Sequence, residues 1–221
     1  MAEPLVRLDG VSKTFEAGRQ VLRGVSLELR RGEMISLTGA SGSGKSTMIA
    51  LLAGLAVPDG GRVVFDGDDL TDLDDVGRAR LRADRIGIVL QSGNLIPFLT
   101  AAENVELATG FADGGGRRVD ARDRLAELGV GVRRHHLPRR MSGGEAQRVA
   151  IAVALANDPE LLLADEITGQ LDSKTADQVM GTIFDAWQRH GLTVLYVTHD
   201  RGLADRAERR LILDGGQVRE R

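Results

Sequence analysis

No cysteine occurs among the 221 residues, so disulfides and thiolate metal sites are excluded, although this says nothing about compartment. Aromatic side chains make up only 3%, which leaves Leu, Val, Ile and Ala to build most of the core. No apolar run reaches the ~20 residues needed to span a bilayer, and the longest, such as residues 49–57, is about half that. A membrane role would therefore have to run through a partner. Residues 1–10 lack the apolar stretch of a secretion signal, so a cytosolic location is expected. A strong charge of either sign is also missing: the formal net charge is −3 and the pI is near 5.9. That balance disfavours nucleic acid as a partner. Lysine is scarce as well, since of 29 basic residues only Lys13, Lys45 and Lys174 are lysines, which singles each of them out.

With 42% hydrophobic residues the chain can bury a real core, and its length suits one compact domain. Strand patterns start at Leu5, Val25, Met34, Arg62, Ile86, Leu161, Thr193 and Arg210. The early ones alternate apolar and polar residues, as a half-solvated antiparallel sheet would. Leu161–Asp165 and Thr193–Thr198 are continuous apolar runs, typical of strands covered on both faces. Residues 65–69, Phe-Asp-Gly-Asp-Asp, carry a hairpin turn signal. Helical patterns cover Lys45–Ala56, Ala101–Thr109, Asp120–Leu128, Gly144–Asn157, Ser173–His190 and Arg201–Arg209. No strand pattern lies between Gln91 and Pro159. The expectation is one α/β unit over 1–221, with a nucleotide-binding core of about 1–91 and 159–221 and a helical subdomain of about 92–158. The glycine-rich residues 110–118 read as a mobile tip between helices.

The segment Gly39, Ala40, Ser41, Gly42, Ser43, Gly44, Lys45, Ser46, Thr47 follows an apolar strand and opens a helix. This is the phosphate-binding loop G-x-x-x-x-G-K-[ST] in its required strand–loop–helix context. Its glycines let backbone N–H groups turn inward around phosphate oxygens. Lys45 supplies a charge to the β- and γ-phosphates, and the Ser46 hydroxyl is a ligand for Mg²⁺. A purine nucleotide with Mg²⁺ is therefore the expected ligand. Leu161–Glu166 is a buried strand ending in two carboxylates. Asp165 can hold Mg²⁺, commonly through a water, while Glu166 can polarise a water that attacks the γ-phosphate. A second stretch, Met141–Ala150, places Ser142 and two glycines before a helix-favouring run, a further way to aim N–H groups at an anion.

Taken in order, the phosphate loop, Ser142-Gly143-Gly144-Glu145, the Leu161–Ser173 segment and the histidine of Tyr196-Val197-Thr198-His199 resemble the ATP-binding cassette (ABC) ATPases. The resemblance covers nearly the whole chain. It implies a RecA-like P-loop NTPase core with an N-terminal antiparallel β subdomain and an inserted α-helical subdomain. It further implies that Phe15 stacks on adenine, with a place in the core as the lesser alternative. By the same likeness Gln91 contacts Mg²⁺ and γ-phosphate, and Ser142, Gly143, Gly144 and Glu145 form the signature that completes a partner subunit's site. Asp172 would touch that partner site and His199 the γ-phosphate. Catalysis would then rest on Glu166, His199 and Lys45, and the metal on Ser46, Gln91 and Asp165. The implied partners are a second copy or related cassette, closing on ATP, and an integral membrane permease seated near Gln91 and the helical subdomain. The chain would be peripheral on the inner face of the membrane.

The chain departs from the family pattern in several places. Glu145 stands where glutamine is common, Met141 replaces leucine, and Ile167 follows the catalytic glutamate where proline is usual. Gln170 and Val153 stand where asparagine and arginine are common; with Ile167 they bear on turn rigidity or the dimer contact. The sequence looks most like the lipoprotein-release and macrolide-export group. Both a transporter motor and an ATPase that transmits force to a membrane regulator of an extracytoplasmic enzyme fit these residues. Two further stretches read as solvated surface: the acidic Asp66–Asp75, which lacks a calcium-loop ligand register, and the basic Arg133–Arg140, for which a contact to a membrane partner is the alternative.

Overall fold

The computed structural model describes residues 3–15, 18–111 and 119–221. The expected glycine-rich tip at 110–118 therefore lies almost wholly outside the described residues. Two sheets organise the molecule. The first is antiparallel, in the order β2 (Arg19–Leu29), β1 (Val6–Phe15), β4 (Gly60–Phe65), β5 (Asp68–Asp69). The second runs β10 (Gln217–Glu220), β9 (Arg209–Asp214), β3 (Met34–Thr38), β8 (Thr193–Val197), β7 (Leu161–Asp165), β6 (Ile86–Val89). It is parallel except for the β9–β10 hairpin.

The helices are α1 (Lys45–Leu52), α2 (Asp75–Arg85), α3 (Ala101–Thr109), α4 (Ala121–Glu127), α5 (Gly143–Ala154), α6 (Ser173–His190) and α7 (Arg201–Ala204). Between Gln91 and Pro159 the described regular elements are all helical, as the sequence pattern requires.

The continuous apolar strands divide between two cores. Ile35, Leu37, Leu161, Leu163, Leu195 and Val197 face the core shared with the antiparallel sheet and α1. Their alternating neighbours Met34, Leu162, Ala164, Val194 and Tyr196 face α5, α6 and the helical subdomain. Because side chains alternate across a strand, a sheet covered on both faces needs apolar residues at every position. Tyr196 meets its polar need by donating its hydroxyl to Leu203 O at 2.6 Å. Burial pushes its phenol up to about 12.

Four differences from the sequence reading have physical causes. β1 and β2 run longer than the apolar–polar alternation suggests, because register breaks between Leu8 and Val11 and again towards Phe15 interrupt it. α2 has no fully buried residue, and its few apolar side chains sit among arginines and aspartates, so its pattern is weak in the sequence; Asp74 caps it by accepting from Gly77 N. The last strand pattern is a hairpin that includes β10. The segment read as helix to Arg209 stops at Ala204, since Arg209 already pairs in the sheet.

The acidic stretch is mostly exposed, and no group of three His, Cys, Asp or Glu side chains suited to a metal occurs among the described residues. Its turn at Asp66–Gly67 joins β4 to β5. The basic stretch does more than face solvent: the carbonyls of Arg134 and His136 accept from Ala102 and Ala101 N, anchoring the start of α3.

At the end of the molecule where β7 begins, Arg31 and Arg85 each pair with both Asp66 and Glu160. This ring of four charges ties the antiparallel sheet to the parallel one, and Arg85 also lies 4.8 Å over the Phe65 ring. Burial alone would raise the Glu160 carboxyl, but hydrogen bonds from Arg85 and Arg31 overcome this and hold it below the usual range. A lowered carboxylate contributes stability above its unfolded value, near 4.5, and loses it as pH falls through the folded value. Glu160→Gln should therefore reduce stability at neutral pH by about 1 kcal/mol, the upper end for solvent-reachable pairs. The deficit should close as urea melts are repeated at progressively lower pH, whereas a constant deficit would contradict this account.

Candidate functional site

The strand order sets the site. In register, Leu37 pairs with Val197 and Val197 with Asp165, so β3, β8 and β7 end side by side. Gly39 and Glu166 follow those ends directly, and His199 follows the end of β8 after one residue, Thr198. Ligands in open α/β sheets bind at this edge, outside the carboxyl ends of the strands.

The phosphate loop turns from β3 into α1 through residues that only glycine allows. A Cβ on Gly39 would lie 2.4 Å from Leu213 O. Gly44 caps α1 in the left-handed region, with φ 109°. Lys45 is buried, 5% exposed in its side chain, and its Nζ donates to Gly39 O at 3.0 Å and Ala40 O at 3.1 Å. The same ammonium lies 3.5 Å from Glu166 Oε1, and His199 Nε2 is 2.5 Å from that oxygen. Lys45 and His199, expected to act with Glu166, thus both meet its carboxylate. Glu166 has φ 47°, a left-handed conformation that costs a non-glycine residue on the order of 1–3 kcal/mol. Its N–H donates to Val197 O at 3.2 Å, which fixes the turn that presents the carboxylate.

A cleft of about 460 Å³ lies in front of the loop, lined by Arg19, Val21, Ser41, Gly42, Gly44, Lys45, Ser46, Thr47, Gln91 and Glu166. Ser46 and Gln91 are exposed to it. Asp165 is buried, and its Oδ1 has no hydrogen-bond partner among the described residues; the buried Ser43 hydroxyl likewise lacks one. An unpaired buried carboxylate oxygen is unfavourable unless a cation or donor meets it. One carboxylate, a hydroxyl and an amide oxygen beside a phosphate cradle are the hard-oxygen set that Mg²⁺ takes, with the remaining ligands supplied by phosphate and water. These residues fit Mg²⁺ bound with a nucleotide. Phe15 ends β1 opposite Arg19, but its side chain lies outside the described residues.

Ser142 and Gly143 are exposed at the start of α5, and Ser142 does not line that cleft. Ser142 Oγ accepts from Glu145 N at 3.3 Å, while Glu145 Oε2 accepts from Ser142 N at 2.9 Å. This capping box is braced by Arg133, whose Nε donates to Glu145 Oε1 at 2.8 Å. The backbone bond from Ser142, then Arg133, holds the Glu145 carboxyl below its usual range. Asp172 caps α6 in the same manner, accepting from the Thr175 hydroxyl at 2.6 Å and from Thr175 N at 3.1 Å. Both expected partner-facing residues therefore have local structural work in their own chain.

A second cleft, about 310 Å³, connects the two regions: Gln91, Asn94, Gly143, Gln147, Glu166, Ile167, Gln170 and Leu171 are among its lining residues. Ile167 and Gln170 thus lie on the path between Glu166 and the signature. Val153 does not. It lines a separate groove between α2, β6 and the end of α3, so its bearing is on that groove. Sequence reading overlooked Arg19, Val21 and Gln147; none belongs to a recognisable spacing, and only the fold carries them to the cleft.

Comparison with known proteins agrees with this geometry. A profile of the ABC transporter family matches residues 22–169. The lipoprotein-releasing system ATP-binding protein LolD of Cereibacter sphaeroides is 44% identical over 99% of this chain and 100% of its own. The macrolide export ATP-binding/permease protein MacB 2 of Aeromonas hydrophila is 43% identical over the whole chain, which spans only 35% of that longer protein. The MJ0796 cassette, solved as a dimer in a post-hydrolysis state with ADP and Pi, superposes with a TM-score of 0.87 at 42% identity, covering 98% of this chain and 97% of that one. MJ0796 is an ABC transporter ATP-binding protein of Methanocaldococcus jannaschii. With profile, relatives and fold in agreement, this chain belongs to the ABC transporter family and is an ATPase of the cassette type, working on ATP with Mg²⁺.

Proposed function

We propose that this ATPase is the motor subunit of a membrane transporter, cytoplasmic and peripheral on the inner face of the membrane, driving export or extraction through a separate permease. The observation that carries the catalytic part is the Glu166 carboxylate, held 3.5 Å from Lys45 and 2.5 Å from His199 at the mouth of the phosphate loop. Lys45 and the loop N–H groups would bind the phosphate chain, and Ser46, Gln91 and Asp165 would hold Mg²⁺. That ion supplies neutralisation of charge on the transferring phosphate. A γ-phosphate that engages the Lys45 ammonium competes with Glu166 for it. Released in this way, the carboxylate can accept a proton from the attacking water, while His199 is left to donate toward the phosphate.

The dimer reading rests on Ser142. Its exposure away from the chain's own loop cleft makes a second copy, or a related cassette, the natural recipient of Ser142, Gly143 and the α5 N-terminus. Asp172, exposed at the α6 N-terminus, would reach the same partner.

For the permease, the supporting feature is the groove of about 750 Å³ between α2, β6 and α3, whose lining includes Val76, Ala79, Ala83, Ile88, Phe111 and Val153. Phe111 is 67% exposed there, and a contiguous apolar patch of this kind marks an interaction surface. No helix among the described residues is long and apolar enough to cross a membrane. The helical subdomain, about 92–158, would carry motion from Gln91 to that groove. The names of LolD and MacB 2 make lipoprotein release or macrolide export the nearest models for the transported class.

Glu166→Gln should keep ATP binding and lower turnover by about 10²–10⁴-fold, the range of a lost general base, and gel filtration with ATP should reveal a stable dimer. Normal hydrolysis by this variant would reject Glu166 as the base. Ser142→Arg should abolish turnover with ATP affinity intact; loss of binding in a titration would instead place Ser142 in its own chain's site. Pull-down from membranes with mass spectrometry should recover an integral permease. Solute carried with that partner supports transport, whereas a partner that only regulates an extracytoplasmic enzyme supports force transmission.

A further inference from the structure

We propose that Arg19 is a phosphate-binding residue of the nucleotide site. Arg19 opens β2, opposite Phe15 in the β1–β2 ladder, and its Nη2 donates to Gly42 O at 2.9 Å, across the tip of the phosphate loop. It lines the same cleft as Lys45, Ser46, Thr47 and Glu166. Nothing in the G-x-x-x-x-G-K-[ST] spacing points to it, because it lies on another strand.

The charges in the cleft show why a second cation is needed. The Lys45 ammonium is directed at two loop carbonyls and at Glu166, whose carboxylate offsets its charge. Next to Glu166 in the chain is the buried Asp165, a second carboxylate. Without Arg19 these side chains present no net positive charge to an anionic ligand, and a magnesium–triphosphate complex remains an anion. Arg19 restores the balance. Its guanidinium has five N–H donors in a planar fork matched to phosphate oxygens. One bond to Gly42 O occupies a single arm, and no carboxylate pairs with Arg19 among the described residues. The Gly42 contact holds the guanidinium at the lip of the loop, so the free donors are pre-positioned rather than recruited from solvent.

Arg19 also stands between the two ends of the expected ligand. The base side is marked by the end of β1, the phosphate side by Gly42 and Thr47. A residue so placed discriminates by the number of phosphates, since it offers charge to the chain and no apolar face to the base. This extends nucleotide binding in the loop cleft and depends on it, so Lys45→Ala, which should lose nucleotide binding, serves as the reference for that underlying site.

The test is a titration of the full chain with MgADP and, by competition, with adenosine. Arg19→Ala should weaken MgADP about tenfold, the scale of one lost charge-assisted contact at a solvent-reachable site, and leave adenosine unchanged. Arg19→Lys should lose less, since it keeps the charge without the fork. Unchanged MgADP affinity in Arg19→Ala would overturn the proposal. So would equal weakening of MgADP and adenosine together with a lower melting temperature in the absence of nucleotide, which would reduce Arg19 to a tie on the Gly42 carbonyl. If Arg19→Ala does not fold, Arg19→Gln can still bond that carbonyl without the charge and decides the same question. If Lys45→Ala binds MgADP normally, the loop cleft itself is the wrong site.

Discussion

The catalytic reading of this molecule turns on one carboxylate. Glu166 holds a buried lysine from the start of α1 and a histidine just past β8 within reach of the same oxygen. Three strands that are distant in sequence end side by side because parallel pairing places them so, and the ion pair fixes the loops that leave them. The unfavourable left-handed backbone at Glu166 is tolerated because the β8 carbonyl, the lysine and the histidine all restrain the turn. A small change in the sheet's register would separate these groups, which makes the parallel core a precondition for the chemistry rather than a neutral scaffold.

That core is shared between two halves with different tasks. Alternate residues of β3, β7 and β8 pack toward the antiparallel sheet and toward the helices. The phosphate loop is therefore supported from one face and the signature helix from the other, through the same three strands. The four-charge ring around Arg31 and Arg85 closes the opposite end of the sheets. Packing thus leaves the nucleotide edge as the place where loops meet across open clefts.

Much of this was readable from residues alone, for identifiable reasons. Strands buried on both faces must be apolar throughout, and a phosphate cradle needs its glycines and lysine at fixed spacing. Leu161–Asp165, Thr193–Val197 and Gly39–Thr47 accordingly announced themselves. α2 did not, since its few apolar residues, none of them fully buried, are scattered among charged ones. Arg19 was equally silent, because its place at the loop depends on how β2 pairs with β1. The local duties of Glu145 and Asp172 follow from ordinary capping chemistry, Ser-x-x-Glu in one case and an aspartate before a helix in the other.

The capping box at Ser142 has one more implication, in the direction of its hydrogen bonds. The hydroxyl oxygen is engaged as an acceptor from Glu145 N, yet a serine hydroxyl also has a proton to give. With one lone pair turned into its own helix, the Ser142 hydroxyl still has its proton to give outward, to an oxygen rich in lone pairs. The bond that starts the helix also gives its tip a preference for anions, so folding and recognition are set by the two ends of a single O–H group.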